Sequence, residues 1–207
     1  MKKPKFSSAF YNIKYSLVEF FSNNKIKIII CCLFCLVGIL TGIFTAVKLQ
    51  SAGDSDILDS FNVIYKLEDF ENFSANFFSR LLSYLLVSVL LLVFSLNSFL
   101  SVFGWCLLAY RSFLISLNCV SFIFIFSFNG ILKSILIIFP CQLLMIIILM
   151  VFFCYMGNIF CQNKKYGCNK GSSIIMPILI CNIALTILNL VETLLLFIFR
   201  SNVILVI

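Results

Sequence analysis

Residues 81–128 read LLSYLLVSVLLLVFSLNSFLSVFGWCLLAYRSFLISLNCVSFIFIFSF, and Arg111 is the only charged residue among them. About 20 apolar residues in helical form cross the hydrocarbon core of a bilayer, so this run is too long for one span and fits two. Asn97-Ser98, Ser101 and Gly104 are the local breakers. They place a break between Asn97 and Arg111, and Trp105 and Tyr110 suit a headgroup-level position there. The expectation is a second span over about 81–98 and a third over about 108–128.

Working outward, the remaining apolar runs repeat the pattern. A first span runs over 26–47, longer than a signal-peptide core and with no small-x-small site behind it, so it reads as a retained helix. Gly38 and Gly42 stand four apart on it, the small-xxx-small spacing that lets another helix approach closely. Asn129-Gly130 is a turn signal. The fourth span follows over about 132–160 with Pro140 inside, where proline is expected to kink the helix. A fifth runs over about 173–199, with Pro177 in its first turn. The fold class is therefore all-α: a polytopic transmembrane bundle of five spans, with residues 81–207 as a four-span membrane domain. Of the chain's 207 residues 62% are hydrophobic and 11% charged, which leaves no separate water-facing domain.

The polar stretches set orientation. Residues 1–25 carry Lys2, Lys3, Lys5, Lys14 and Lys25 among aromatic and aliphatic side chains. They read either as an amphipathic surface helix or as a basic tail that only sets topology. Residues 48–80 hold Asp54, Asp56, Asp59, Glu68, Asp69 and Glu71, with Phe61, Ile64, Leu67, Phe70 and Phe73 at near-helical spacing. With the N-terminus cytoplasmic, Lys25, Lys27, Arg111, Lys164, Lys165 and Lys170 fall inside and the acidic loop outside, satisfying the positive-inside rule. The localisation this implies is the cell membrane. The net charge of +7 is thus a topology signal, and nucleic acid is not an expected partner.

Catalytic chemistry has little to work with. The chain has no histidine, which removes Ser-His and Cys-His pairs and zinc-protease motifs. No glycine-rich phosphate loop is present, and a paired-carboxylate protease needs two intramembrane acids where the spans offer Glu192. The ten cysteines lie mostly in apolar segments, where a thiol is a small hydrophobe, so no disulfide framework, metal or other cofactor is expected. Glu192 is the conspicuous polar group, because a carboxyl in hydrocarbon is costly. Asn182, Thr186, Asn189 and Thr193 share its helix face. Structural glue between helices is the leading reading and a proton or cation relay the alternative, with Arg80, Lys133 and Arg200 as candidate partners.

Three stretches resemble the stage II sporulation protein M family of bacterial membrane proteins. They are Leu36–Phe44 with its two glycines, Arg111–Asn118 with Ser112 and Ser116 at small-xxx-small spacing, and Asn129–Leu132 with Ile138–Leu144, which contains Pro140 and Gln142. Family members usually carry glycine where this chain has Ser112 and Ser116. The resemblance implies a non-enzymatic scaffold for sporulation, which organises wall-remodelling partners during engulfment. Gly38, Gly42, Ser112, Ser116, Pro140 and Gln142 would then be packing positions, and self-association is left open. The competing reading is a transport subunit: the permease half of an exporter, or a small ion-coupled carrier with a cavity lined by Asn118, Gln142, Asn182, Asn189 and Glu192.

Overall fold

The computed structural model describes residues 22, 24–52, 73–97, 99–133, 139–166 and 172–198. Five helices make up this part: α1 (Lys25–Ala52), α2 (Phe73–Ser95), α3 (Ser101–Lys133), α4 (Phe139–Tyr166) and α5 (Ser172–Ile198). All five are long and apolar enough to cross a membrane. Their sequences are rich in Ile, Val and Phe, which disfavour helix in water. In lipid, though, an isolated segment satisfies its backbone hydrogen bonds only as a helix. The basic tail before residue 22, most of the acidic loop, Cys168, Lys170 and Arg200 lie outside the described residues.

The helices alternate in direction. At one end of the bundle the start of α1 meets the far part of α4, where Lys27 Nζ donates to Asn158 Oδ1 (2.7 Å) and Asn158 Nδ2 donates to Asn24 Oδ1 (2.6 Å). Lys164 and Lys165 are on the last turns of α4 at this same end. The predicted break between the second and third spans is a tight link, with Leu96 N–H donating to the Val93 carbonyl and Ser101 N–H to that of Asn97. The core draws Cys31 from α1, Leu91 from α2, Leu108 from α3, Met145 and Leu149 from α4, and Leu185 from α5. Leu33, Leu36, Leu40 and Phe44 of α1, and Ile175, Leu179, Ile183 and Ile187 of α5, stay exposed. Exposed apolar area on that scale belongs against lipid tails, so this is a multi-pass membrane protein.

Four expectations need correction. Asn129-Gly130 makes no turn: α3 continues through it to Lys133, because a local turn preference of about 1 kcal/mol is a weak prior that the flanking helix overrides. The fourth span accordingly begins at Phe139, and Pro140 occupies its first turn, where the missing N–H costs nothing and no kink is required. Pro177, by contrast, is inside α5, past the first turn from Ser172, and leaves the Ser173 carbonyl without its usual helical donor. Finally, Arg111 is well inside α3 rather than at a helix end. The break falls at 96–100, so α3 begins before Arg111 and carries it about 15 Å along the helix axis from Ser101.

α1 and α3 run parallel and form the closest helix pair. A Cβ built on Gly38 would run into the Ala109 carbonyl, and one on Gly42 into the Phe113 carbonyl and Ser116 Oγ. Only glycine lets the two backbones approach this far. Cys31, Gly38, Gly42 and Ala46 are all buried on this face of α1, and Phe34 packs against Trp105 with ring centroids 5.9 Å apart.

Candidate functional site: a polar junction and its cleft

The other half of the bundle is held by polar side chains. On α2, Arg80, Tyr84 and Ser88 recur every four residues and so share one helix face. That face meets the polar face of α5. Arg80 Nη1 is 2.8 Å from Glu192 Oε1, and the Glu192 side chain is 0% exposed. Gln142, in the first turn of α4, donates from Nε2 to both carboxylate oxygens at 2.7 and 2.8 Å. Tyr84 O–H donates in turn to Gln142 Oε1 at 3.0 Å. The donors therefore converge on one carboxylate: an arginine from α2 and an amide from α4 hold an acid from α5. Both oxygens are occupied, as the burial of an ionised group demands.

Around this centre lie weaker crossings. Ser88 Oγ stands between the Leu85 carbonyl of its own helix (2.8 Å) and Asn182 Oδ1 of α5 (2.9 Å), and Asn189 Nδ2 donates to the Phe77 carbonyl (3.1 Å). Thr186 and Thr193 bond back to their own helix, at the carbonyls of Asn182 and Asn189. The face predicted on α5 thus points at α2, and Glu192 reaches α4 as well.

Beside the junction a cleft of about 340 Å³ opens between α2, α3 and the start of α4. Arg80, Arg111, Tyr84, Tyr110, Asn118 and Gln142 are among its lining residues. Arg111 Nη2 donates to the Ser83 carbonyl (2.9 Å) and Ser83 Oγ (2.6 Å), and its guanidinium carbon stands 5.2 Å from the centre of the Tyr84 ring. Asn118 Oδ1 is buried with no hydrogen-bond partner among the described residues.

The sequence-predicted residues thus fall into two groups. Gly38, Gly42 and Ser116 meet in the α1/α3 seam, and Ser112 is fully buried on α3 one turn earlier, its hydroxyl donating to the Leu108 carbonyl. Gln142, Asn182, Asn189 and Glu192 belong to the polar junction. Gln142 is the bridge of that junction rather than a packing residue alone, and Arg80 takes the Glu192 pairing. Tyr84, Ser83 and Ser88 were not singled out in advance. The signal for Tyr84 and Ser88 was present, since with Arg80 they recur at one helical spacing in a mostly aliphatic run, and Ser83 lies off that spacing.

Among the described residues no three His, Cys, Asp or Glu side chains gather as they would around a metal ion. The described cysteines are free thiols. Comparison with protein-family models, with curated proteins and with solved structures finds no match.

Proposed function

We propose that this chain is a non-enzymatic integral membrane scaffold of the kind its resemblance to the stage II sporulation protein M family implies, holding wall-remodelling partners at the bacterial cell membrane. The observation that supports this reading best is the use made of Glu192. An acid that ferries protons or cations has to be reached by water and to change partners. Glu192 is fully buried, with an arginine on one oxygen and the Gln142 amide across both. It is committed to joining three helices, as structural glue is. In this reading Lys25, Lys27, Lys164 and Lys165 face the cytoplasm, and the acidic segment between α1 and α2 meets partners outside.

The test is capture of the tagged full-length chain from native membranes after mild crosslinking. A co-purifying peptidoglycan hydrolase or other wall-remodelling protein supports the scaffold. A stoichiometric ATPase overturns it and makes the chain the membrane half of an exporter. The transport reading is favoured by one observation, the cleft that brings Asn118 and Gln142 together with two arginines. It predicts flux that falls in E192Q, whereas the scaffold predicts no flux to lose.

A further inference from the structure

The junction leaves one charge unanswered. Its cleft is lined by two guanidiniums, and the carboxylate behind them, Glu192, is taken by Arg80 and Gln142. Arg111 meets neutral groups alone among the described residues: the backbone and hydroxyl of Ser83, and the face of Tyr84. Both Ser83 bonds use Nη2, so the N–H groups on Nη1 and Nε have no protein acceptor there. Arg111 lies within the apolar span Ser101–Ser121, where an arginine needs a counter-charge or a route to water.

We propose that the cleft between α2, α3 and the first turn of α4 binds a phosphate-bearing anion, with Arg111 as its principal ligand. The volume, about 340 Å³, is at the lower end of the range for small-molecule pockets, enough for a phosphate and a short polar substituent. Gln142 marks the N-terminal turn of α4 at the cleft wall, and a helix N-terminus favours an anion through its free N–H groups and dipole. Asn118 supplies a buried amide whose Oδ1 has no partner, and turning that amide over presents its NH₂ at the same place. Tyr110 lies at the wall as well. A guanidinium suits phosphate better than a point cation does, because its N–H groups bind two oxygens at once.

The surroundings of the cleft bear on the source of the phosphate. Phe78 and Leu82, next to the lining residues Ser79 and Ser83, are 65% and 68% exposed, and Tyr110 in the lining is 56% exposed. These lipid-facing side chains would lie along an acyl chain whose headgroup occupies the cleft. A soluble phosphate ester would use the same polar groups but not the apolar flank. The proposal does not rest on the scaffold reading, since either a scaffold or a carrier would need this cation answered.

Native mass spectrometry of the full chain in neutral detergent tests it. Phosphatidylglycerol, phosphatidylcholine and inorganic phosphate are each titrated into wild type, Arg111→Gln, Asn118→Leu and Lys27→Gln. The expected result is a preference of about tenfold or more for phosphatidylglycerol over phosphatidylcholine, the size of one hydrogen-bonded charge contact. Arg111→Gln abolishes that preference, Asn118→Leu weakens it, and Lys27→Gln, at the opposite end of the bundle, leaves it intact. Binding of inorganic phosphate that is lost in Arg111→Gln, without lipid preference, supports the site and assigns it to a soluble ester. Equal binding of the two lipids with no phosphate binding overturns the proposal. So does a preference that Lys27→Gln erases as fully as Arg111→Gln, because it would then belong to the net charge. Should Arg111→Gln fail to fold, the wild-type preference and Asn118→Leu still decide the matter.

Discussion

The α1/α3 seam and the α2/α4/α5 junction hold helices together in the same membrane by different means. In the seam, hydroxyls turn back on their own helices: Thr41 donates to the Val37 and Gly38 carbonyls, Ser112 to that of Leu108 and Ser116 to that of Phe113. Contact there comes from absence of side chain, as the two glycines let one backbone rest on another. In the junction the charged and amide side chains cross between helices, and an ion pair with its amide bridge sets which helices meet. Lipid tails are as apolar as leucine, so burying leucine cannot by itself select a neighbour. The seam selects by shape and the junction by charge and hydrogen bonding.

The strongest way to break the comparison is at Glu192. Glu192→Leu leaves the largely buried Arg80 without its carboxylate and is expected to cost about 3 kcal/mol in unfolding experiments on the micelle-bound protein. The double variant Arg80→Met/Glu192→Leu is expected to recover most of that loss, because a well-packed apolar pair replaces a desolvated charge. A double variant as unstable as the single one would mean that the pair does more than satisfy itself.

Next comes Gly42→Leu. The added side chain meets backbone that cannot yield locally, with an expected cost of about 1–3 kcal/mol, whereas Gly157→Ala, where a Cβ meets nothing within 4 Å, is expected to be neutral. The single tryptophan, Trp105, packs on Phe34 in the seam and separates the two lesions. Its emission should shift red in Gly42→Leu and stay unchanged in folded Glu192→Leu.

The smallest effects sharpen the contrast. Ser88→Ala removes a hydroxyl that can reach Asn182 on α5 as well as the Leu85 carbonyl of its own helix, and is expected to cost about 0.6–2 kcal/mol. Ser116→Ala removes a hydroxyl that bonds its own helix, so its loss should stay below about 0.5 kcal/mol. Equal losses in matched melts would sink the distinction between crossing and returning hydroxyls.

What was legible in the sequence follows the same division. The five apolar runs announced the helices, because in lipid length and hydropathy decide the secondary structure. Gly38 and Gly42 were legible as a notch, and Glu192 with Asn182 and Asn189 as an inward face, since each is a pattern within one helix. What lay between helices was not legible. The charge count treats each basic residue as a marker of a helix end, so it put Arg111 at the cytoplasmic boundary. Arg111 instead belongs with Ser83 and Tyr84, residues that only the packing of α2 on α3 brings within reach. Asn129-Gly130 misled because a local turn preference is a weak prior that the flanking helix overrides.

The seam also fixes an order of events. It joins the first helix to the third, with α2 made in between, and at about 5–20 residues per second synthesis separates Gly42 from Ser116 by about 4–15 s. Until α3 arrives, α1 lies in the bilayer with its glycine notch unfilled. The bundle is therefore assembled out of sequence order: α2 must enter the membrane without blocking the face that α3 will claim. The charged residues that draw α2 toward α5 cannot meet until α5 has been made, after both helices of the seam.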